Sequence, residues 1–316
     1  MTWLVGAAAV DLRDDAPLQI MYGVAGEHDL AERTLDHLAG WRGSRPVRVG
    51  SGAFDQRQLD VYGEVLDAVH RLRHQLLPLD PMTQRFLIDL TDDAVRDWQQ
   101  ADQGIWEVHC EPRHFLHSKL MCWVAIDRAV DLADHLDAGE ATVDRWAATR
   151  TAITTAILER GFDPDVGAFT QSFGSSALDA SALRIPLVGF LPSDDPRVRS
   201  TVAAIEEHLI DDRGLVYRYR HDDGLPGNEG TFLLCTFWLA QAHAMAGDVD
   251  RARQLFERAV AVRNDVELLA EEYGDGELLG NFPQAFSHVG LVDAAWAIAQ
   301  AEHHGQSLDQ RTDAPS

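Results

Sequence analysis

The chain has 316 residues, 46% hydrophobic and 25% charged, which is enough apolar material for one large domain or two ordinary ones and excludes a chain disordered throughout. Its 27 Lys and Arg against 51 Asp and Glu give a formal charge of -24, which repels a nucleic-acid backbone or an anionic membrane surface. The three cysteines, Cys110, Cys122 and Cys235, have no C-x-x-C spacing, so they support neither a disulfide framework nor a structural zinc and fit a reducing compartment.

The opening segment MTWLVGAAAVDLRDD carries a short apolar run without a basic leader, and nowhere does an apolar stretch reach the roughly 20 residues of a membrane span. The expectation is a soluble, cytoplasmic protein. Apolar residues then recur at spacings of three and four, which predicts a mostly α chain of about ten helices of roughly 12–20 residues. Leu59, Tyr62, Leu66, Val69 and Leu72 form one stripe; Phe115, Lys119, Cys122, Ile126 and Val130 trace another, interrupted by the only lysine of the chain. Further amphipathic segments are expected near 84–98, 143–159, 198–210, 231–246, 251–263 and 284–302, and a frayed tail from 305 to 316.

Between the helices lie long loops rich in glycine and aromatics: 41–57, 99–113, 161–181, 213–230 and 271–284. Loops of this length in a compact helical domain are functional or disordered, and their aromatics argue for function. In 213–230, Leu215, Tyr217 and Tyr219 alternate with Val216 and Arg218, the pattern of a short hairpin.

Two carboxylate positions have the context of acid–base chemistry. Glu107 follows Gly104-Ile105-Trp106 in a loop that also carries Asp102, just before the helix beginning near His114. A carboxyl beside an indole and partly removed from water holds its proton at neutral pH and can deliver it; without context the same residue reads as a plain helix-flanking glutamate. Glu271 and Glu272 are expected to end a helical run NDVELLAEEY, where neighbouring side chains lie on different faces, so that one points into a cavity and the other stays solvated. A solvated helix end is the plainer alternative.

Other chemistries lack their patterns. His114, His117, His208 and His288 give neither H-E-x-x-H nor H-x-x-E-H, so they are assigned to packing or loop hydrogen bonds and no metal is expected. Gly50-Ser51-Gly52 and the QSFGSS segment lack the lysine of a phosphate loop, and Ser51, Ser181 and Ser287 lack a G-x-S-x-G elbow. Lys119 is expected to pair with a nearby carboxylate rather than serve as a Schiff-base amine.

Six segments, in order, carry a resemblance: LQIMYGVAGEHDL followed by GSRPVRVGSGAFDQRQLDVYGE, DQGIWEVHCEPRHFLHSKLMCWVAIDRA, SALRIPLVGFLPSDDPRV, GLVYRYRHDDGLPGNEGTFLLCTFWLA, and LAEEYGDGELLGNFPQAFSHVGL. Together they resemble bacterial members of the glucoamylase and trehalase type, glycoside hydrolase family fifteen, from about residue 1 to residue 304. The resemblance implies an all-α (α/α)6 toroid with long loops on one face, a pocket for a terminal glucose, and an exo-acting hydrolase that inverts the anomeric carbon. It implies Glu107 as general acid and Glu271, ahead of Tyr273, as general base. It also implies that Arg218 grips the terminal glucose, that Trp106 offers its face as a platform, and that Asp102, Glu229 and Tyr273 contribute substrate contacts. No cofactor is required. The expected substrates are malto- or isomalto-oligosaccharides or the disaccharide trehalose.

The sequence departs from the pattern where relatives have an N-terminal β-sandwich and a first helix with a Trp-Arg-Asp motif; Trp41-Arg42 does not replace it, and His109-Cys110 stand where relatives have arginine and glycine. Residues 1–304 are therefore expected to form a catalytic domain incomplete at its N-terminus. An open ring would expose apolar faces at about 25 cal/mol per Å² and favour association into a homo-oligomer. The alternative reading is a catalytically impaired helical fragment that binds a sugar or a protein; another toroid enzyme, an epimerase or glycuronyl hydrolase, shares the architecture only.

Overall fold

The structure is a computed structural model that describes residues 2–13, 18–108, 111–220 and 229–312. Cys110, the centre of the 213–230 loop and the last four residues lie outside the described residues. The chain divides into two compact units, Met1–Ile157 and Leu158–Ser316.

The first unit contains α1 (Thr2–Arg13), the short strands β1 (Arg33–Thr34) and β2 (Arg48–Val49), α2 (Val61–Arg71), α3 (Arg73–Leu76), α4 (Pro81–Asp97), α5 (Leu116–Asp131), α6 (Ala133–Leu136) and the start of α7 (Glu140–Arg160). Its central helix is α5: twelve of sixteen residues are buried, which is what a helix apolar nearly all round requires. Helices α2 and α4 pack on it. Tyr62, Leu66 and Val69 of the first stripe point into this core. The approach of α2 to α5 depends on Gly63, where a β-carbon would sit 2.3 Å from the Met121 carbonyl oxygen. At the start of α4, Asp80 accepts from the amides of Met82 and Thr83 while Pro81 fills the first turn, where no amide partner is needed.

The second unit contains β3 (Phe162–Asp163), β4 (Ala168–Phe169), α8 (Arg184–Leu187), α9 (Pro196–Leu209), β5 (Thr231–Phe232), α10 (Leu233–Met245), α11 (Val249–Ala261), β6 (Glu272–Gly274), β7 (Glu277–Leu279) and α12 (Ala285–Thr312). Twelve of the thirteen residues of α10 are buried, so it is the core of this unit, with α11 and α12 packed against it. Asp195 and Asp248 cap α9 and α11 through the amides of Arg197 and Arg251. Helix α12 runs on to Thr312, into the segment read from the sequence as a tail.

The expected hairpin is a tight turn: Ile210 and Val216 bridge antiparallel, with Gly214 at φ 82° in the bend. The run NDVELLAEEY is not helical, contrary to its apolar spacing. The Asn264 side chain accepts from the amides of Val266 and Leu268, at 3.1 and 2.8 Å, and Glu267 adopts φ 65°, so a turn replaces the helix. The chain then enters the antiparallel sheet β5-β6-β7, in which Glu272 pairs with Phe232 and Leu279. Among the described residues no helix is long and apolar enough to cross a membrane.

Candidate active site

The predicted site residues are divided between the units, and each group is built separately. In the first unit the chain leaves α4 at Asp97 and returns to α5 at Leu116. The neck of this excursion is closed by Asp102 and Arg113, whose backbones exchange two hydrogen bonds of 3.0 and 2.9 Å. Inside the neck, the Glu107 amide donates to the Gly104 carbonyl at 3.2 Å. Gly104 sits at φ 69°, and a β-carbon there would lie 2.8 Å from the Phe115 ring, so the turn demands glycine. Glu107 itself is at φ 54°, a conformation that costs energy for a residue with a β-carbon and that gathers at functional sites. Gln56 holds it there by donating to the carbonyls of Glu107 and Val108 at 3.3 and 3.4 Å. The side chains of Trp106 and Glu107 are half-buried, and Val108 is buried beside them.

Asp102, expected to meet a sugar hydroxyl, is fully buried instead. Its Oδ2 accepts from the Leu59 amide at 3.0 Å and from the Ser118 hydroxyl at 2.6 Å. Burial pushes its pKa up, opposed by those two hydrogen bonds and by the charge of Lys119. Lys119, expected to pair with a carboxylate, donates to the backbone carbonyl of Gln100. Several charged and polar groups lie beneath the loop. Asp97 accepts from Tyr62 at 3.2 Å and from Gln100 at 3.1 Å, and pairs with Arg57 at 2.9 Å. Asp60 lies 3.7 Å from His117, and burial, with Asp102 and Glu64 adding to it, pushes Asp60 up to about 8.

In the second unit Glu271 immediately precedes β6. Its carboxyl oxygen Oε2 accepts from the backbone amide of Asn281 at 2.9 Å and from the Asn281 side-chain amide at 3.0 Å. The backbones of the same two residues meet as well, the Glu271 amide donating to the Asn281 carbonyl at 3.0 Å. Gly280 makes this possible: at φ 71°, it leaves the carboxylate the space that a β-carbon would take. The segment leading to Glu271 is fastened by the first turn of α12. Ser287 donates to the Ala270 carbonyl at 2.7 Å, and His288 accepts from the Leu269 amide at 3.3 Å through Nε2 while Nδ1 faces the Gln284 carbonyl at 2.7 Å. These contacts fix the Nδ1–H tautomer of His288.

Successive strand residues alternate sides, so Glu272 does not share the Asn281 cradle. It accepts from the Gly230 amide at 3.2 Å and lies 3.6 Å from Arg218, and burial pushes its pKa up against the pull of that guanidinium. Arg218 is the centre of the second group. It pairs with Glu229 at 2.5 Å and lies over the rings of Tyr219 and Phe232, 5.5 and 5.2 Å from their centroids. Tyr273 stands one residue on, its ring facing Arg213 at 5.0 Å and its backbone carbonyl accepting from Thr231.

The structure thus brings Trp106 and Glu107 into one strained turn, and Arg218 and Glu229 into one ion pair beside Glu272. Sequence reasoning missed Gln56, Leu59 and Ser118 under the first group and Gly280 and Asn281 beside Glu271. Gly280-Asn281 follows β7 directly, and a glycine-asparagine pair at a strand end was the one local signal for the turn that holds Glu271. No group of three or more His, Cys, Asp or Glu among the described residues is arranged to hold a metal ion.

The family model described as glycosyl hydrolases family 15 matches residues 8–296. The chain is 46% identical over 300 residues to a trehalase of Mycobacterium tuberculosis, a match that covers 92% of this chain and 43% of that protein. It is 45% identical over 296 residues to a trehalase of Mycolicibacterium smegmatis, covering 92% and 44%, and 36% identical over 293 residues to a trehalase of Thermoplasma volcanium, covering 91% and 46%. The chain therefore spans less than half the length of these relatives. In fold it is similar to a glycosidase variant in complex with glucose, with a TM-score of 0.68 at 19% identity over 94% of this chain and 77% of that one. It is also similar to a glucoamylase from Saccharomycopsis fibuligera, with a TM-score of 0.61 at 14% identity over 76% and 68%.

Proposed function

The chain belongs to glycosyl hydrolases family 15 and has an all-α fold of the (α/α)6 class, and from that membership we propose that it is the sugar-cleaving part of a trehalase, with Glu107 as general acid and Glu271 as general base. The observation that carries the proposal is the Asn281 cradle: two amide donors and the absence of a side chain at Gly280 fix one carboxylate oxygen of Glu271. That fixes the other oxygen's direction, which is what a base aligning a single water requires.

The reaction balances with no further component. Glu107, protonated, gives its proton to the oxygen linking the two glucose units as the bond from the first anomeric carbon to that oxygen breaks. A water attacks that carbon from the opposite face and loses a proton to Glu271. An inverting geometry of this kind needs the two carboxyl groups about 6.5–9.5 Å apart. Trp106 supplies an apolar face for the sugar ring, Arg218 donates paired hydrogen bonds to its hydroxyls, and Glu229 and Tyr273 complete the polar lining.

Both anomeric carbons of trehalose are α. Inversion converts the attacked one to β and leaves the departing one α, so proton NMR of the first products distinguishes the mechanism: equal α- and β-glucose for inversion, α-glucose alone for retention. The purified chain is assayed with trehalose, maltose and isomaltose beside Glu107→Gln and Glu271→Gln. Trehalose turnover lost by about 10³-fold or more in both variants is the expected result. Turnover of maltose or isomaltose but not trehalose transfers the chain to a glucoamylase-like specificity. Equal rates in parent and variants defeat the assignment, and trehalose binding without turnover leaves a sugar-binding fragment.

A further inference from the structure

We propose that Asp102 is the positioning residue of the general acid: it clamps the neck of the Glu107 loop to the helices beneath and does not touch sugar. The inference rests on Glu107 as the acid and adds a task for a residue that the sequence placed among the sugar contacts. Four observations carry it. Asp102 has no exposed surface. Its backbone closes the loop, by the paired hydrogen bonds with Arg113, at the point where the chain leaves and re-enters the helical layer. Its side chain reaches downward, to the Leu59 amide just before α2 and to the Ser118 hydroxyl in the first turn of α5. Lys119, next to Ser118, holds the Gln100 carbonyl two residues before the neck, so consecutive residues of α5 fasten consecutive parts of the loop.

The same loop is tied on another side by residues 56 and 57: the Gln103 amide donates to the Arg57 carbonyl and the Arg57 amide to the Gln103 side-chain oxygen, each at 3.1 Å, and the Gln56 side-chain amide reaches the carbonyls of Glu107 and Val108. Those bonds hold the turn to residues 56–57. The Asp102 carboxylate joins the loop, the segment just before α2 and the start of α5 at one atom, its Oδ2. Loss of this atom frees the turn that keeps Glu107 at φ 54°, and a catalytic acid displaced by a fraction of an ångström transfers its proton poorly.

The test uses the full 316-residue chain with Asp102→Ala, Asp102→Asn and Ser118→Ala. Hydrogen exchange is followed at the amides of Asp102, Glu107 and Arg113 and, for reference, in the middle of α5. Exchange about 10- to 100-fold faster at the loop amides in Asp102→Ala, smaller changes in the two milder variants and none in α5 are expected. Loop exchange unchanged in all three variants overturns the clamp. Should Asp102→Ala fail to fold, the Asn and Ser118 variants carry the same comparison, since each removes part of the clamp and leaves the volume filled.

Steady-state kinetics on trehalose and on α-glucosyl fluoride separate positioning from sugar contact, because fluoride departs without a proton from the enzyme. Asp102→Ala is expected to lower kcat on trehalose by about 10²-fold with KM within about twofold, to affect the fluoride far less, and to be partly rescued in Asp102→Asn. A KM that rises alike on both substrates makes Asp102 a sugar contact and overturns the proposal. The acid itself is judged by Glu107→Gln: if that variant loses both substrates equally, the reading of Glu107 fails while the exchange result still decides the clamp.

Discussion

Gly280 stands so close to Glu271 that a β-carbon on it would lie 2.6 Å from the carboxylate oxygen that Asn281 holds. The cradle and the carboxylate fit only because that side chain is absent. Gly280→Ala forces either the carboxylate or the turn to move and also places a β-carbon at φ 71°. The expected outcome is a stability loss of about 1–2 kcal/mol by thermal melting and a fall in trehalose kcat of about 10²-fold.

On the proposed mechanism, Asn281 acts on the alignment of Glu271 and not on sugar binding. Asn281→Ala removes the side-chain donor at 3.0 Å and leaves the backbone donor at 2.9 Å. A kcat about tenfold lower with KM unchanged is expected, and Asn281→Asp, which sets a like charge against Glu271, falls further. Steady-state kinetics on trehalose measure both.

Asp60 gives the first unit a pH-dependent stability. Its folded pKa, about 8, is far above the ordinary carboxylate value, so the native state binds its proton more tightly than the unfolded chain. That contribution is whole below about pH 4 and is lost as the pH rises through 8. Urea denaturation is expected to show the parent weakening between pH 5 and pH 9, and Asp60→Asn, neutral throughout, to flatten this slope and exceed the parent by at least about 1 kcal/mol at pH 9.

Arg218 is surrounded in a way lysine cannot reproduce. Two carboxylates and two ring faces meet one planar guanidinium, all largely withdrawn from water. Arg218→Ala leaves Glu229 and Glu272 facing each other and is expected to destabilise the fold by about 3 kcal/mol. Arg218→Lys is expected to retain the fold and raise KM for trehalose by about 10- to 100-fold, read from melting temperature and kinetics together.

The helices were legible because their signal is local. The stripe of Tyr62, Leu66 and Val69 sits on the helix that it determines. Glu107 and Glu271 were singled out through short motifs in which each residue is named by its neighbours. What the sequence did not disclose depends on partners far along the chain. Asp102 looks like any loop carboxylate until Leu59 and Ser118 are seen to bond it, and NDVELLAEEY has helical spacing until β5 and β7 claim its end. Asn281 shows no chemistry of its own; only its return to Glu271 gives it a role.

The contact between Gly63 and the Met121 carbonyl has a reach greater than its size. Leu59 and Ser118, the two anchors of Asp102, stand at the near ends of the helices that touch there. A single methyl group at position 63 would press on the Met121 carbonyl and force α2 and α5 apart. The footing of both Asp102 anchors thus rests on how tightly two backbones cross, at a residue with no side chain at all.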